Sequence, residues 1–434
     1  MFYDKQPVGK QENYKNMLAI VGCLSNLFSD SDRPMLNYRA HENIFCKYFD
    51  AINLAREDCS ADAKYDSLGI GLKTWVQSDS QKVAEFGRLR SSYANFEGLE
   101  LVKTISEYRN DRIRVTMNLH GLSDMVYHIV KRIPGAMLIY ETAFDQIDID
   151  NINLITNRGK ANTTYFTDGK HTYFFNSAKN TLYMQFDDMD QLDKIDVNIC
   201  ADPYEVLKSL APQLISGTEL NSDSVPQPTP ANVPALSNSF GYAKGEPDMA
   251  QNQLCLRLYS SRNGKGKYVS DKSGLNQWNG YRTVKDKNGN LIKSYVRNAD
   301  ELYIPYPSVD RQRKTFFPPR DTPFELTLPN GRVIRAKVCQ QDGKAIMSCP
   351  NSELGHWLLR DVFELPEGTK VTYDMLKTFG IDSVIFTKRT DGQYSIDFCK
   401  LGTYEKFYHI HDEDAVFDGE AMEDDSLETE PSEE

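Results

Sequence analysis

The chain has 434 residues, 40% hydrophobic and 26% charged, with 24 Tyr and 21 Phe, which leaves room for two or three domains and excludes collagen, a coiled coil and global disorder. Its formal net charge of −12 is unevenly spread: −8 over residues 1–252, +8 over 253–402 and −12 over 403–434. No apolar run approaches the ~18 residues of a membrane span, the first residues lack a secretory pattern, and the eight Cys show no CxxC or other metal spacing, so a reduced cytoplasmic protein is expected.

Residues 13–28 carry helical apolar spacing (Met17, Ile20, Val21, Leu24, Leu27, Phe28), and residues 38–55 continue in the same way through Ile44, Phe45, Phe49 and Ile52. Residues 65–76 read as extended, punctuated by Gly69 and Gly71. Helices are expected from Ser80 to about Tyr93 and from about Glu100 to Arg112, then a buried strand at 136–141. A hairpin turning at Asp168-Gly169 and a strand at 181–186 complete this mixed α/β block, with Asn157-Arg158-Gly159-Lys160 and Lys170-His171 as polar turn residues. Residues 216–252 hold five prolines among Ser, Asn, Thr and Gly and read as a linker.

The block from 253 to 402 is mostly β, with strand-like runs at 254–260, 301–304, 324–328, 333–338, 384–388 and 394–398. Asn288-Gly289, Asn330-Gly331 and Asp391-Gly392 are turn signals. Two short helices are expected, at 352–363 and at 373–379, the second capped by Thr372 and ended by Gly380. Such a pattern suggests a small barrel or pseudobarrel, and its positive charge is either the footprint of a polyanion partner or a solvated positive face. From Asp412 the chain is a run of acids and is expected to be a disordered tail. The class is therefore α+β multidomain, divided as 1–215, 216–252, 253–402 and 403–434.

Several segments in this block carry a resemblance. They are Ser273-Gly274-Leu275-Asn276-Gln277-Trp278-Asn279, Tyr303-Ile304-Pro305, Phe316-Phe317-Pro318 with Thr322-Pro323-Phe324, and Gln341-Asp342-Gly343-Lys344-Ala345-Ile346. Leu365-Pro366-Glu367-Gly368 follows. In this order they resemble the C-terminal domain of NgoFVII-type restriction endonucleases. The resemblance implies a B3-like pseudobarrel that grips double-stranded DNA with two loop arms in the major groove. The first arm would be 273–282, supplying Asn276, Gln277, Asn279 and Arg282. The second would be 340–344, supplying Gln340, Gln341, Asp342 and Lys344. Amides suit adenine and cations suit guanine, while Lys265, Lys267, Lys272 and Lys285 suit phosphates. Trp278 reads as a packing anchor.

The same endonucleases resemble phospholipase D nucleases, which need HxK. None of the seven His (41, 120, 128, 171, 356, 409, 411) precedes a Lys by two positions. Tyr65-Asp66-Ser67-Leu68-Gly69-Ile70-Gly71-Leu72-Lys73-Thr74-Trp75 instead resembles a degenerate PD-(D/E)xK core, the nuclease centre of many type II restriction enzymes. That resemblance implies a Mg²⁺ site with Asp66 as first acid and Lys73 orienting or activating water. Gly71 stands where the second acid is usual, so Glu42 from the upstream helix or Glu85 from the downstream one would compensate, with Gln81 as a further polar neighbour. His41 reads as a helix-surface residue. No P-loop is present, and ATP dependence is not expected. The expected function is a type II restriction endonuclease, with double-stranded DNA and a cognate methyltransferase as partners and a possible homodimer. The rivals are a non-catalytic DNA-binding regulator and a nuclease for modified DNA.

Overall fold

Apolar side chains alternate along the central N-terminal strands and so bury both faces of one sheet. The computed structural model describes residues 1–54, 59–76, 79–156, 162–187, 189–208, 252–262, 266–285, 291–313, 315–390 and 392–410. The first sheet has the order β1 (Ile52–Asn53), β2 (Ala63–Tyr65), β3 (Leu68–Trp75), β5 (Asp124–Ile133), β6 (Ala136–Ala143), β11 (Gln191–Asp196). The β3–β5 pair is parallel; the other pairs are antiparallel. Helices α1 (Val8–Cys23) and α2 (Tyr38–Phe49) cover one face, where Leu18, Phe45 and Phe49 meet Ile70, Leu72, Val126 and Val130.

The other face packs against a second, antiparallel sheet. Its order is β4 (Ser80–Glu85), β10 (Thr181–Gln185), β9 (Thr172–Asn176), β8 (Thr163–Thr167), β7 (Asn153–Leu154). Trp75, Tyr127 and Ile129 meet Phe166, Phe175 and Leu182 there.

Residues 80–93 do not form the expected helix. Residues 80–85 pair with β10 as β4, and helix is confined to a 3₁₀ turn at Gly87–Leu89 and the single α-turn Arg90–Tyr93, α3. Cross-strand hydrogen bonds and burial against the first sheet outweigh a weak local preference. The first helix starts at Val8 behind Pro7, earlier than its apolar spacing indicates, and α2 stops at Phe49 because Asp50 turns left-handed (φ 56°).

The C-terminal unit is a seven-stranded, nearly closed barrel. Its order is β12 (Gln253–Arg257), β21 (Ile381–Thr390), β22 (Gln393–Lys400), β18 (Phe324–Thr327), β19 (Val333–Cys339), β20 (Ala345–Ser348), β17 (Ile304–Pro305). Only β18–β22 is parallel, and the edge strands β12 and β17 approach each other. Leu254, Leu256, Phe324, Leu326, Ile346, Phe386 and Ile396 fill it. Two hairpins interrupt the β12–β17 connection: β13 (Ser260–Arg262) with β14 (Gly266–Tyr268), and β15 (Tyr281–Lys285) with β16 (Leu291–Val296). Short helices follow: α5 (Ser308–Arg313), then α6 (Glu353–Gly355), which continues as a wide π-type turn over His356–Val362, and α7 (Tyr373–Phe379). Thr372 caps α7 by accepting from the Met375 N–H, and Gly380 (φ 84°) ends it, as expected. The boundary placed at 402 falls short: α8 (Thr403–Phe407) buries Tyr404 against the barrel, and the folded unit runs to Ile410. Nearly all of the expected linker and the tail from 411 lie outside the described residues.

One helix belongs to both units. Helix α4 (Gly98–His120) places Leu101, Val102, Ile105 and Ile113 in the core between the two sheets, but Val115 and Leu119 in the barrel core. Arg112 Nε donates to the Thr378 carbonyl, Asn118 Nδ2 to that of Val362, and Arg114 pairs with Glu364 at 3.0 Å.

The last residue of α4, His120, is buried, and burial together with the Lys64 charge pushes its imidazole down to about 4. An unfolded His titrates near 6.5, so the native state refuses a proton that the unfolded chain accepts. Stability is full above about pH 6.5 and falls toward pH 4, by on the order of 2–3 kcal/mol. Urea melts at pH 7 and 4.5 should show that loss in the native chain and a shallower one in His120→Gln.

Candidate functional site

The β2–β3 hairpin carries the N-terminal site. Asp66 sits on its exposed turn with φ 50°. Lys73 is the sixth residue of β3, roughly 16 Å from the strand's start at ~3.3 Å per residue, so Asp66 on the turn is not brought to it. The acid beside Lys73 is Asp62. Its N–H donates to the Ile70 carbonyl (2.8 Å) and its Oδ2 accepts from the Leu72 N–H (2.7 Å). Ala63 pairs with Ile70, and one further step of that register sets Asp62 across from Gly71, the face of Lys73.

The electrostatics tie three groups together. Burial pushes the Asp62 carboxyl up, while the Lys73 ammonium and the Leu72 N–H pull it back. Burial pushes Lys73 below the ordinary lysine range, with Asp62 and Glu42 opposing. Glu42 on α2 is raised by burial, against its 2.8 Å ion pair with Arg39, and the Asp62 charge raises it further. Cys46, one turn beyond Glu42, registers both acids: burial, then Glu42 and Asp62, push its thiol up to about 12. The Asp62 charge acts on Glu42, and carboxylate oxygens are hard donors of the kind that a divalent cation such as Mg²⁺ takes. Among the described residues no group of three or more His, Cys, Asp or Glu is arranged to hold a metal ion.

Position 71 has no room for the acid usual there. A Cβ there would lie 2.8 Å from both Phe144 Cε1 and Tyr127 Cδ1, and those two rings stack at 3.9 Å. The Lys73 ammonium stands 6.0 Å from the same Tyr127 ring. Glu85 is not part of the group; it is exposed at the end of β4, paired with Lys82 at 3.1 Å. Its expected helix is a strand of the second sheet, which also carries Gln81. His41 is not on the surface of α2 but 1% exposed beneath it.

In the barrel, the arms divide into spent and presented residues. Asn276 is 0% exposed: its Nδ2 donates to the Ser270 and Val371 carbonyls (2.9 Å each) and its Oδ1 accepts from the Val371 N–H (2.8 Å). Gln277 is also buried, and Asn279 Nδ2 donates to the Asp271 carbonyl. Trp278 packs on the barrel core, as an anchor would. Beyond them the β15–β16 ribbon exposes Tyr281, Tyr295 and Val296. The side chains of Arg282 and Lys285, and Lys265 entirely, lie outside the described residues. Lys267 is bound by Glu405, while Lys272 is exposed.

The second arm, between β19 and β20, presents Gln341 and Asp342 to solvent, with Lys344 half-buried. Its backbone is strained: Gln340 holds φ 64°, ψ 173°, a region nearly confined to glycine, and Asp342 holds φ 57°. Such strain costs about 1–3 kcal/mol per residue and collects at ligand clamps.

The profile of the NgoFVII C-terminal B3-like DNA-binding domain matches residues 252–390, the span from β12 through β21. The C-terminal unit is thus similar to a DNA-binding domain carried by restriction enzymes, which supports sequence-specific DNA binding by this chain. No curated protein matches it. Among the described residues no helix is long and apolar enough to cross a membrane.

Two outcomes follow. Gly71→Asp should destabilise the chain by about 1–3 kcal/mol through overpacking against Tyr127 and Phe144, measured by urea unfolding. Asn276→Ala should cost about 2 kcal/mol or more by orphaning buried Val371 groups, and its penalty should appear in stability at every DNA concentration, including none.

Proposed function

We propose that this chain is a restriction-type endonuclease that reads double-stranded DNA with its barrel and hydrolyses a phosphodiester bond with Mg²⁺ in its N-terminal unit. What supports the reading is Asp62, fixed by the Leu72 N–H at 2.7 Å, whose charge acts on both the buried Lys73 and Glu42, in a chain whose other unit is similar to a restriction-enzyme DNA-binding domain. Asp62 takes the role expected of Asp66, and Glu42 keeps the role expected of it.

Asp62 and Glu42 would hold the Mg²⁺, which when bound stabilises charge on the scissile phosphate. Lys73, desolvated and held below the ordinary lysine range, is a better proton acceptor near neutral pH than a surface lysine and would orient the attacking water. The Tyr127–Phe144 stack keeps one wall of this site dry. On the barrel, the β15–β16 ribbon has the width a major groove admits, and Gln341 and Asp342 form the second projection. Double-strand cutting with one site per chain calls for a homodimer or two successive nicks, and a cognate methyltransferase would protect host DNA. A regulator that binds DNA without cutting is the second reading, favoured by the aromatic filling of the Gly71 position.

The test is digestion of unmethylated and methylated phage DNA by the purified chain, with Mg²⁺ or with EDTA. Discrete Mg²⁺-dependent fragments are expected. Asp62→Asn and Lys73→Ala should each lower the rate by about 100-fold or more, with Asp66→Ala cutting like the native chain. Intact DNA of both kinds, beside a sequence-specific gel shift, establishes the regulator instead.

A further inference from the structure

Beneath α2 runs a chain of buried polar groups that the proposed reaction does not use. Glu141 Oε1 on β6 lies 2.9 Å from His128 Nδ1 on β5. His128 Nε2 lies 2.9 Å from the Tyr14 hydroxyl on α1, and that hydroxyl lies 2.9 Å from His41 Nε2 on α2. Both Glu141 oxygens also accept from the Tyr3 N–H at 3.1 Å. None of the four side chains is more than 1% exposed. The single hydroxyl hydrogen goes to one imidazole, so the other imidazole must present an N–H to Tyr14.

The rest of α2 meets the sheet through Ile44, Phe45 and Phe49, apolar contacts that are not directional. His41–Tyr14 is directional. It pins the rotation of α2 about its axis, and Glu42, the next residue, is set about 100° round the helix from it. Cys46 shares that side of the helix, and both sense Asp62.

We propose that the Glu141–His128–Tyr14–His41 chain is a positioning device that fixes α2 so that Glu42 and Asp62 form one cation site. The proposal rests on the nuclease reading. Groups that orient metal ligands from behind typically change metal affinity by 10–100-fold when removed.

Mn²⁺ binding to the full chain, read from the loss of the free-ion paramagnetic resonance signal, tests it without DNA or turnover. The native chain should bind Mn²⁺ and Asp62→Asn should not. Tyr14→Phe keeps the ring and should weaken Mn²⁺ binding about tenfold or more. Tyr93→Phe is the control: its buried hydroxyl donates to the Phe86 carbonyl and Asn180 Oδ1, away from α2, so its loss should lower thermal stability comparably while leaving Mn²⁺ affinity unchanged. His41→Leu removes the pin from the α2 side and should match Tyr14→Phe, which keeps the test open if one of the two does not fold. Native affinity in a folded Tyr14→Phe or His41→Leu, or equal weakening in Tyr93→Phe, overturns the positioning role and leaves the nuclease reading standing. Absence of Mn²⁺ binding by the native chain overturns both.

Discussion

The constraint on which this structure turns is that α4 must satisfy two hydrophobic cores at once. Its first turns close the space between the two N-terminal sheets, and Val115 and Leu119 complete the barrel. A Pro-rich connection between two units suggests beads on a string, but a helix shared by both cores makes their relative placement a property of packing. The carbonyls of Val362 and Thr378 at the barrel end receive side chains from the same helix that carries Arg109, whose charge reaches Lys73. A barrel seated on DNA therefore carries the candidate site at a fixed offset.

Within the N-terminal unit the arrangement follows from what occupies the middle of β3. With Tyr127 and Phe144 stacked over Gly71, the strand cannot carry an acid two residues before Lys73. The negative charge that balances a buried lysine must come from elsewhere, and Asp62 just ahead of the paired strand and Glu42 from α2 supply it. A carboxylate on a strand is held by the sheet's own hydrogen bonds. One on a helix is only as well placed as the helix, which gives the polar chain under α2 its significance.

Much of this was legible from the residues. The alternation in 253–402 and its turn dipeptides foreshadow the barrel, and Thr372 and Gly380 mark α7 at both ends, because caps and turns are local chemistry. Of the residues in the proposed site, Lys73 and Glu42 were named from the sequence, one by its place in a strand and one by its place on a helix. Asp62 was not, since choosing between Asp62 and Asp66 requires knowing that Asp66-Ser67 is the turn and that the register sets Asp62 against Gly71. The helix expected at 80–93 was lost to pairing with a strand nearly a hundred residues away, which no local window contains. Asn276 and Gln277 look like base readers by residue type, but an amide is equally good at bonding buried backbone, and burial is decided by the whole barrel.

The barrel unit begins and ends in the same place. Its first strand, β12, lies beside β21, and the Tyr408 hydroxyl near its end donates to the Cys255 carbonyl near its start. A module whose two ends leave side by side can be exchanged between proteins without rerouting either chain, and recognition would be portable in evolution on that ground alone. The apolar face that Val115 and Leu119 cover sets the terms of the exchange. A transplanted barrel arrives with an uncovered patch unless its new host offers a helix of matching shape, so the reading specificity and the helix that backs it are inherited together.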